Sequence, residues 1–303
     1  MKAATMAPVL LFAHGTNFCK EIWRPVERHL KALPLGQRAS DVQFVSIDLP
    51  YHGAKRDDSF PALVDKDTPT VNHSASKFVT LSTEAIRLEV QQLRAQLGRR
   101  PIVGVGHSMG AAALWNVEAE LPGTFGGLVL FEPFVEEPGT RDPKIQRYIF
   151  NLALNRQHRW ETRQAAANYF ENVKGFATWD RESLACWLEG AIVPERNGSE
   201  AVVLACHPTI EAAIYCGERL WLSESDMSSV ACPVSIRSSD DSWLFDPAFF
   251  AGIEQKWPRI YKNHPSINHT THNLIMEKPK ECADAIHADL KDFGCFKSVL
   301  AKL

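Results

Sequence analysis

The sequence predicts an α/β protein whose mostly parallel sheet carries helices on both faces. Three observations support this fold class. Short apolar runs rich in β-branched and aromatic residues recur along the 303 residues, as in strands that are buried on both faces. Helical patterns with a period of 3.6 residues lie between several of these runs, and such alternation favours parallel strands. A hydrophobic content of 45% suits a large core.

The strands come from the apolar runs, and the helices are bounded by proline and glycine signals. In chain order the predicted strands are Pro8 to Ala13, Val42 to Asp48, Ile102 to Val105, Gly127 to Phe131, Pro233 to Arg237 and, more weakly, Pro258 to Lys262. The predicted helices are Phe78 to Leu97 with Gly98 as its stop, a helix from Ser108 that ends before Pro122 and Gly123, and Pro279 to Phe293 with Gly294 as its stop.

The alternation is interrupted between residues 134 and 228. This segment contains Trp160, Trp179, Trp187 and Trp221 together with several helix-forming stretches. We therefore predict a helical insertion, or lid, over the sheet. The expected organisation is a first core part at 1–133, the lid at 134–228, and a second core part at 229–303 that ends in a tail.

Charge and cysteine usage restrict the classes of function. A net charge of −3, with both signs interspersed, provides no broad cationic surface for nucleic acid or an anionic membrane, so a small molecule is the expected partner. No apolar run approaches the roughly 18 residues of a membrane span. The seven scattered cysteines form no Cys-x-x-Cys pair, so neither a disulfide framework nor a zinc site is predicted, and no cofactor is expected.

The strongest functional signal is the run PIVGVGHSMGAAALW, which contains Gly106, Ser108 and Gly110. It is the G-x-S-x-G pattern between an apolar strand and a small-residue helix, so Ser108 is predicted as a nucleophile on a strained turn. The backbone N–H of Met109 then lies at a helix N-terminus, where it can face an oxyanion.

Two alternatives remain for this motif. The pattern arises by chance in many proteins. Gly104, Gly106 and Gly110 also suggest a dinucleotide-binding turn, with Glu132 as a ribose ligand, although the third glycine comes one residue too late for G-x-G-x-x-G.

An ordered set of motifs resembles the α/β-hydrolase superfamily over nearly the whole chain. The set is His14-Gly15, then DLPYHG at Asp48 to Gly53, then GHSMG, a helical insertion, and a final His-x-x-x-x-Glu-x-Pro. The stretches HGTNFCKEIWRPV, LACHPTIEAAIY and HNLIMEKP are similar to a fungal branch with toxin-biosynthesis hydrolases and peroxisomal lipases. The resemblance implies about two strands before the one at Pro8, and we expect these first strands to be missing. It also implies a structural role for Asp48 to Gly53.

The resemblance also implies a catalytic base five residues before a glutamate in the loop after the last strand. His272 has this spacing to Glu277 and to Pro279, whereas His269 and His264 do not and are less favoured. The three histidines also lack the spacing of a metal site.

The acid partner of the histidine stays open among three carboxylates. Asp241 is favoured because CPVSIRSSDDSW resembles the strand and Gly-x-x-Asp turn of similar family members, with Ser238 at the glycine position. Asp240 and Glu132 are the alternatives. The second oxyanion donor implied by the resemblance is the backbone N–H of Thr16.

The expected function is therefore a serine hydrolase that cleaves an ester or thioester of an apolar acyl or lipid-derived substrate. A non-catalytic binding protein with the same fold is the second hypothesis, and a dinucleotide oxidoreductase is less favoured than both. Ala301, Lys302 and Leu303 resemble the C-terminal address Ser-Lys-Leu, which predicts a peroxisomal import receptor as a partner and peroxisomal rather than cytoplasmic localisation.

Overall fold

The computed structural model describes residues 8–33, 42–196 and 198–296, within which eleven strands, eleven α-helices and four short 3-10 helices have both their ends. The strands are β1 (Val9–Ala13), β2 (Gln43–Ile47), β3 (Leu63–Asp65), β4 (Thr70–Asn72), β5 (Ile102–His107), β6 (Gly127–Phe131), β7 (Arg159–Trp160), β8 (Ile192–Pro194), β9 (Val202–Leu204), β10 (Val234–Arg237) and β11 (Tyr261–Asn263). The helices are α1 (Arg24–Ala32), α2 (Phe78–Leu97), α3 (Ser108–Glu120), α4 (Pro143–Leu154), α5 (Arg163–Asn172), α6 (Arg181–Ala191), α7 (Pro208–Cys216), α8 (Glu224–Ser229), α9 (Pro247–Lys256), α10 (Leu274–Glu277) and α11 (Pro279–Asp292).

A parallel sheet of six strands, in the order β11, β10, β6, β5, β1, β2, forms the centre of the fold. The middle strands β1, β5 and β6 are buried along their whole length, because helices cover both faces. The predicted α/β fold class is thus confirmed. The last strand begins later than expected, at Tyr261, because the N–H groups of Ile260 and Tyr261 both bond to the Trp257 carbonyl in a tight turn.

The alternation of side chains along β1 divides the core into two layers. Val9 and Leu11 point into the layer that contains α2, α3 and α9, whereas Leu10 and Phe12 point into the layer with α1 and α11. Parallel strands place all their carboxyl ends at one edge of the sheet, where the loops that follow β1, β5, β6, β10 and β11 come together.

The segment between β6 and β10 contains α4 to α8, as the sequence suggested, but also a small antiparallel sheet in the order β7, β9, β8. This sheet was not predicted, because its strands are only two or three residues long and β7 is far in sequence from its partner β9. Trp160 of β7, Trp179 and Trp187 pack together with Phe170 and Phe176.

A hairpin that the sequence did not predict lies outside the central sheet, where β3 and β4 pair in antiparallel fashion.

In the part of the chain that the structure describes, no helix is both long and apolar enough to cross a bilayer. The absence of strands before Pro8 stays a prediction, since residues 1–7 lie outside the described residues.

Candidate active site

Ser108 lies at the sharp junction of β5 and α3, with a φ of 52° in the left-handed region. The flanking glycines are required by space: a Cβ on Gly106 would lie 2.5 Å from Ala111 Cα, and one on Gly110 would lie 2.3 Å from the His14 carbonyl oxygen. The chain can therefore turn this tightly only with glycine at both positions, and the turn presents the serine hydroxyl at the carboxyl edge of the sheet.

His272 lies within hydrogen-bond distance of this serine. Its Nε2 is 2.9 Å from Ser108 Oγ, in the loop between β11 and α10. The spacing to Glu277 has a structural cause, because the Glu277 carboxylate accepts bonds from the backbone N–H and the hydroxyl of Thr271. The glutamate also accepts a bond from the Thr178 hydroxyl, so it fastens the histidine loop to the insertion.

The carboxylate beside His272 belongs to Glu132, which follows β6 directly. Glu132 Oε2 is 2.6 Å from His272 Nδ1, and the residue has a φ of 45°. The favoured choice of Asp241 was wrong: its side chain is exposed, and its backbone N–H donates to the Thr270 carbonyl. Asp240 is also exposed and instead accepts bonds from the N–H groups of His269 and Thr270.

The path of the chain after β10 explains why Asp240 and Asp241 lie away from His272. Ser239 continues the parallel pairing by bridging to Ile267, so the two aspartates that follow are directed to the surface beside the histidine loop. Glu132 was among the open alternatives, and its signal was its position directly after a buried strand. The same position had suggested a ribose ligand, yet here the carboxylate bonds to a histidine.

The surroundings of Glu132 favour its ionised form. Burial alone would raise the pKa of this carboxyl, but the bond and charge of His272 and the bonds from Ser239 hold the pKa well below its ordinary value. Oε1 accepts from the N–H and hydroxyl of Ser239, and Oε2 also accepts from the Ser242 hydroxyl. Because an ionised carboxylate only accepts bonds, His272 Nδ1 carries the proton and Nε2 is left free to accept one from Ser108.

The other two histidines of the same stretch have different surroundings. His264 Nε2 lies 3.2 Å from Asp289 on α11, and His269 adopts a φ of 58° in the loop. Within residues 8–33, 42–196 and 198–296, no group of three or more His, Cys, Asp or Glu side chains is arranged to hold a metal ion.

The predicted oxyanion donors border the same cavity as Ser108. Met109 is in the first turn of α3, where backbone N–H groups have no carbonyl one turn earlier. Thr16 lies in the loop after β1, which is braced by two buried histidines: His52 Nε2 accepts from the Asn17 N–H, and His14 Nε2 accepts from the Leu49 N–H.

The motif from Asp48 to Gly53 supports this loop. The Asp48 carboxylate accepts from the N–H and ammonium groups of Lys20 and from the Ala54 N–H. Burial strongly lowers the pKa of His52, to about 3, and also lowers that of His14. Both rings are therefore neutral at pH 7 and can accept backbone bonds, a function that sequence reasoning had not assigned to them.

His107 is a further site residue that the sequence analysis missed. Its Nε2 donates to the His272 carbonyl oxygen at 2.7 Å, and the two rings are 4.9 Å apart between centroids. Burial and the nearby charge of His272 hold the pKa of His107 well below its usual range. The neutral ring of His107, the residue before Ser108, is thus hydrogen-bonded to the backbone of His272.

A cavity of about 390 Å³ opens beside Ser108 and is enclosed mainly by apolar side chains of the insertion. Phe134, Ile149, Phe176 and Trp179 contribute to its walls. Four polar side chains that no sequence motif had indicated also line the cavity: Arg156, Glu211, Tyr215 and Arg219. A pocket of this size and composition fits a small, largely apolar molecule.

Comparison with known proteins agrees with this fold. A family model described as "Alpha/beta hydrolase family" matches residues 10–285. The abhydrolase domain-containing protein AFT2-1 of Alternaria alternata is 24% identical over 220 residues, which cover 62% of this chain and 82% of that protein.

Two solved structures are similar over almost the entire chain. The peroxisomal alpha-beta-hydrolase Lpx1 of Saccharomyces cerevisiae has a TM-score of 0.70 at 17% identity, with 97% of this chain and 80% of that chain covered. The thioesterase domain from the curacin biosynthetic pathway has a TM-score of 0.64 at 20% identity, with 94% and 92% covered. At these identities the similarity shows a common fold and carries no information about the substrate.

Proposed function

Because this chain belongs to the alpha/beta hydrolase family, we propose that it is a serine hydrolase that cleaves an ester or thioester of an apolar acyl or lipid-derived substrate. One observation carries the proposal: His272 bridges Ser108 Oγ and Glu132 Oε2, at 2.9 Å and 2.6 Å. This is the arrangement that a serine nucleophile requires, with the base held in one tautomer by an acid.

The proposed reaction proceeds through an acyl-enzyme. Ser108 Oγ attacks the carbonyl carbon while His272 Nε2 takes the hydroxyl proton, and Glu132 stabilises the imidazolium that forms. The leaving alcohol or thiol then takes this proton from His272. A water molecule attacks the acyl carbon in the second half, again with His272 as the base, and the free acid leaves as Ser108 regains its proton.

The negative charge of the tetrahedral intermediate requires hydrogen-bond donors near Ser108. The backbone N–H groups of Thr16 and Met109 are assigned this role in the proposal, since both residues border the cavity at the nucleophile. Loss of one such donor costs about 10² to 10³ in kcat in enzymes of this type. The braced loop that carries Thr16 keeps its N–H fixed before the substrate arrives, which makes the stabilisation more effective.

Covalent labelling tests the proposal directly. A fluorophosphonate probe should form an adduct on Ser108, which peptide mapping by mass spectrometry would locate, because the activated hydroxyl attacks phosphorus as it attacks a carbonyl. The adduct should be absent in Ser108→Ala and strongly reduced in His272→Ala. If the folded wild-type protein stays unlabelled, the hydrolase proposal fails and the non-catalytic alternative gains support.

We also propose peroxisomal import through Ala301, Lys302 and Leu303, which lie outside the described residues. The proposal rests on their resemblance to the Ser-Lys-Leu address and on the peroxisomal neighbour Lpx1. Deleting the three residues from a protein with an N-terminal fluorescent tag should change a punctate peroxisomal signal into a diffuse one. An unchanged distribution, or a diffuse signal from the intact chain, would rule out this address.

A further inference from the structure

A second cavity, of about 400 Å³, adjoins the catalytic cavity that contains Ser108. The two cavities share six residues of their walls: Phe134, Ile149, Tyr215, Arg219, Trp243 and Leu244. Side chains of α4 and α9 contribute to the rest of the lining of the second cavity. Because the walls are shared, a molecule too long for the catalytic cavity has the second cavity as its next enclosed space.

Phe134 lies at the junction of the two cavities and is held beside the nucleophile. Its backbone N–H donates to the Ser108 carbonyl oxygen at 3.3 Å. The Arg219 guanidinium lies over its ring, 5.2 Å from the ring centroid. A chain that extends from Ser108 towards the second cavity therefore passes an aromatic ring whose position is fixed on two sides.

Large apolar side chains are exposed to solvent around both cavities. Among the described residues, four of the eight exposed large hydrophobic side chains line one or both cavities: Ile145, Tyr148, Leu152 and Trp243. The first three form a stripe along α4. The Trp243 indole lines both cavities and is still 64% exposed. Apolar exposure concentrated at a cavity indicates a surface that an apolar ligand covers.

The charged side chains at the two cavities have partners of their own or are exposed to water. Glu136 Oε2 accepts from Arg141 Nε at 2.9 Å and lies 3.5 Å from Arg219 Nε. Both guanidinium groups also donate to backbone carbonyls around the C-terminal end of α7. In the catalytic cavity, Arg156 pairs with Glu211. The remaining carboxylates that line the second cavity are exposed: Glu137, Asp142 and Asp246. A neutral hydrocarbon chain can therefore occupy both cavities without separating a charged group from its partner.

We propose that the second cavity binds the far end of a long acyl chain whose carbonyl lies at Ser108. The inference rests on the proposed function, because it extends the site of the acyl group that Ser108 receives. The preferred substrates are then esters or thioesters of long-chain acids, with Trp243 covering the chain where it crosses from one cavity to the other. A chain that ends within the catalytic cavity is a weaker substrate, because it leaves the second cavity and the Trp243 indole in contact with water.

A comparison of two chain lengths tests this proposal on the intact chain. The probes are p-nitrophenyl esters of straight-chain acids with six and twelve carbons, used below the concentrations at which they aggregate. Each methylene that is fully removed from water contributes about fourfold to kcat/KM. With six further methylenes only partly buried, the twelve-carbon ester should exceed the six-carbon ester in kcat/KM by more than about tenfold.

Two substitutions at the second cavity should lower this twelve-to-six ratio. Trp243→Ala removes the indole at the junction, and the loss of about 50 Å² of apolar contact should lower the ratio by about tenfold. Ile145→Trp adds volume at a residue that lines the second cavity but not the catalytic one, so the end of the long chain loses its space. Ser242, next to Trp243, donates to Glu132, and an effect passed through that bond would slow both esters alike and leave the ratio unchanged.

Phe60→Ala and Leu88→Trp are the matched controls. Phe60 resembles Trp243 as an exposed aromatic residue, and Leu88 on α2 resembles Ile145 as a partly exposed aliphatic residue of a helix. Neither control residue lines either cavity, so the ratio should be unchanged in both variants. Thermal unfolding checks that each variant is folded, and the wild-type ratio stands as a test by itself if one is not.

The outcomes separate the two proposals. Hydrolysis and Ser108 labelling, with a twelve-to-six ratio below twofold, would overturn the second-cavity inference and leave the hydrolase intact. A high ratio that neither folded variant lowers would also overturn it, because the chain would then lie elsewhere. A rise with chain length found only in alkyl butyrates, where the long chain is on the alcohol, would overturn the placement of the acyl chain. No labelling and no hydrolysis of any ester would overturn both proposals.

Discussion

Ser108→Ala is expected to lower kcat for ester hydrolysis by about 10⁶, the loss seen when a triad that acts as a unit loses its nucleophile. The hydroxyl is the only atom group removed, and His272 Nε2 then has no proton to take at 2.9 Å. The remaining rate reflects the oxyanion donors and substrate binding. His272→Ala should cause a loss of similar size, because neither residue activates the reaction alone.

Steady-state kinetics with a chromogenic short-chain ester would measure this loss, and thermal unfolding would check that each variant is folded. Ser225→Ala, an exposed serine on α8, serves as the control and should leave kcat unchanged. A fall of less than about 100-fold in Ser108→Ala would contradict the nucleophile assignment, since loss of a single oxyanion donor already costs about 10² to 10³.

Glu132→Gln should lower kcat by about 10⁴, the effect of replacing the acid of such a triad by its amide. The amide is nearly isosteric, but its NH₂ group can donate to His272 Nδ1 and so favours the tautomer in which Nε2 carries the proton. It also removes the charge that stabilises the imidazolium, 2.6 Å away. Kinetics with the same ester, together with the unfolding temperature, would separate this effect from loss of the fold.

Asp241→Asn is the matched control, since it makes the same chemical change in the carboxylate that the sequence had favoured. An exposed side chain without a role in the site should change the barrier by no more than about 0.5 kcal/mol, or twofold in rate. The reverse result, with Asp241→Asn severe and Glu132→Gln mild, would show that the acid lies after β10 and would contradict the structure.

The proximity of Ser108 and His272 could be predicted because the signals for both residues are local. Steric crowding at the elbow requires glycine two residues before and after Ser108, and the loop geometry places Glu277 five residues after His272. Each signal is contained within one short segment of sequence. The alternating strands and helices were predictable for the same reason, since burial on two faces marks each strand independently.

The carboxylate beside His272 could not be predicted because β6 and β10 are neighbours that end at the same edge of the sheet. A carboxylate after either strand is close to the histidine loop, and the choice depends on the side to which each turn directs it. The ion pair of Glu211 on α7 with Arg156 after α4, at the wall of the cavity, escaped notice for a related reason. The two residues are far apart in the chain, and only the packing of α4 against α7 brings them together.

Hydrogen bonds from the insertion to the loops of the site have a consequence for how substrate enters. Trp187 on α6 donates to the Asn17 carbonyl, beside the oxyanion loop, and the Asp180 N–H donates to the Met276 carbonyl, near the histidine. These bonds attach this half of the insertion to the loops on both sides of Ser108. Trimming it from the protein would dismantle the site rather than uncover it, so any widening of the entrance has to come from the other half, around α4.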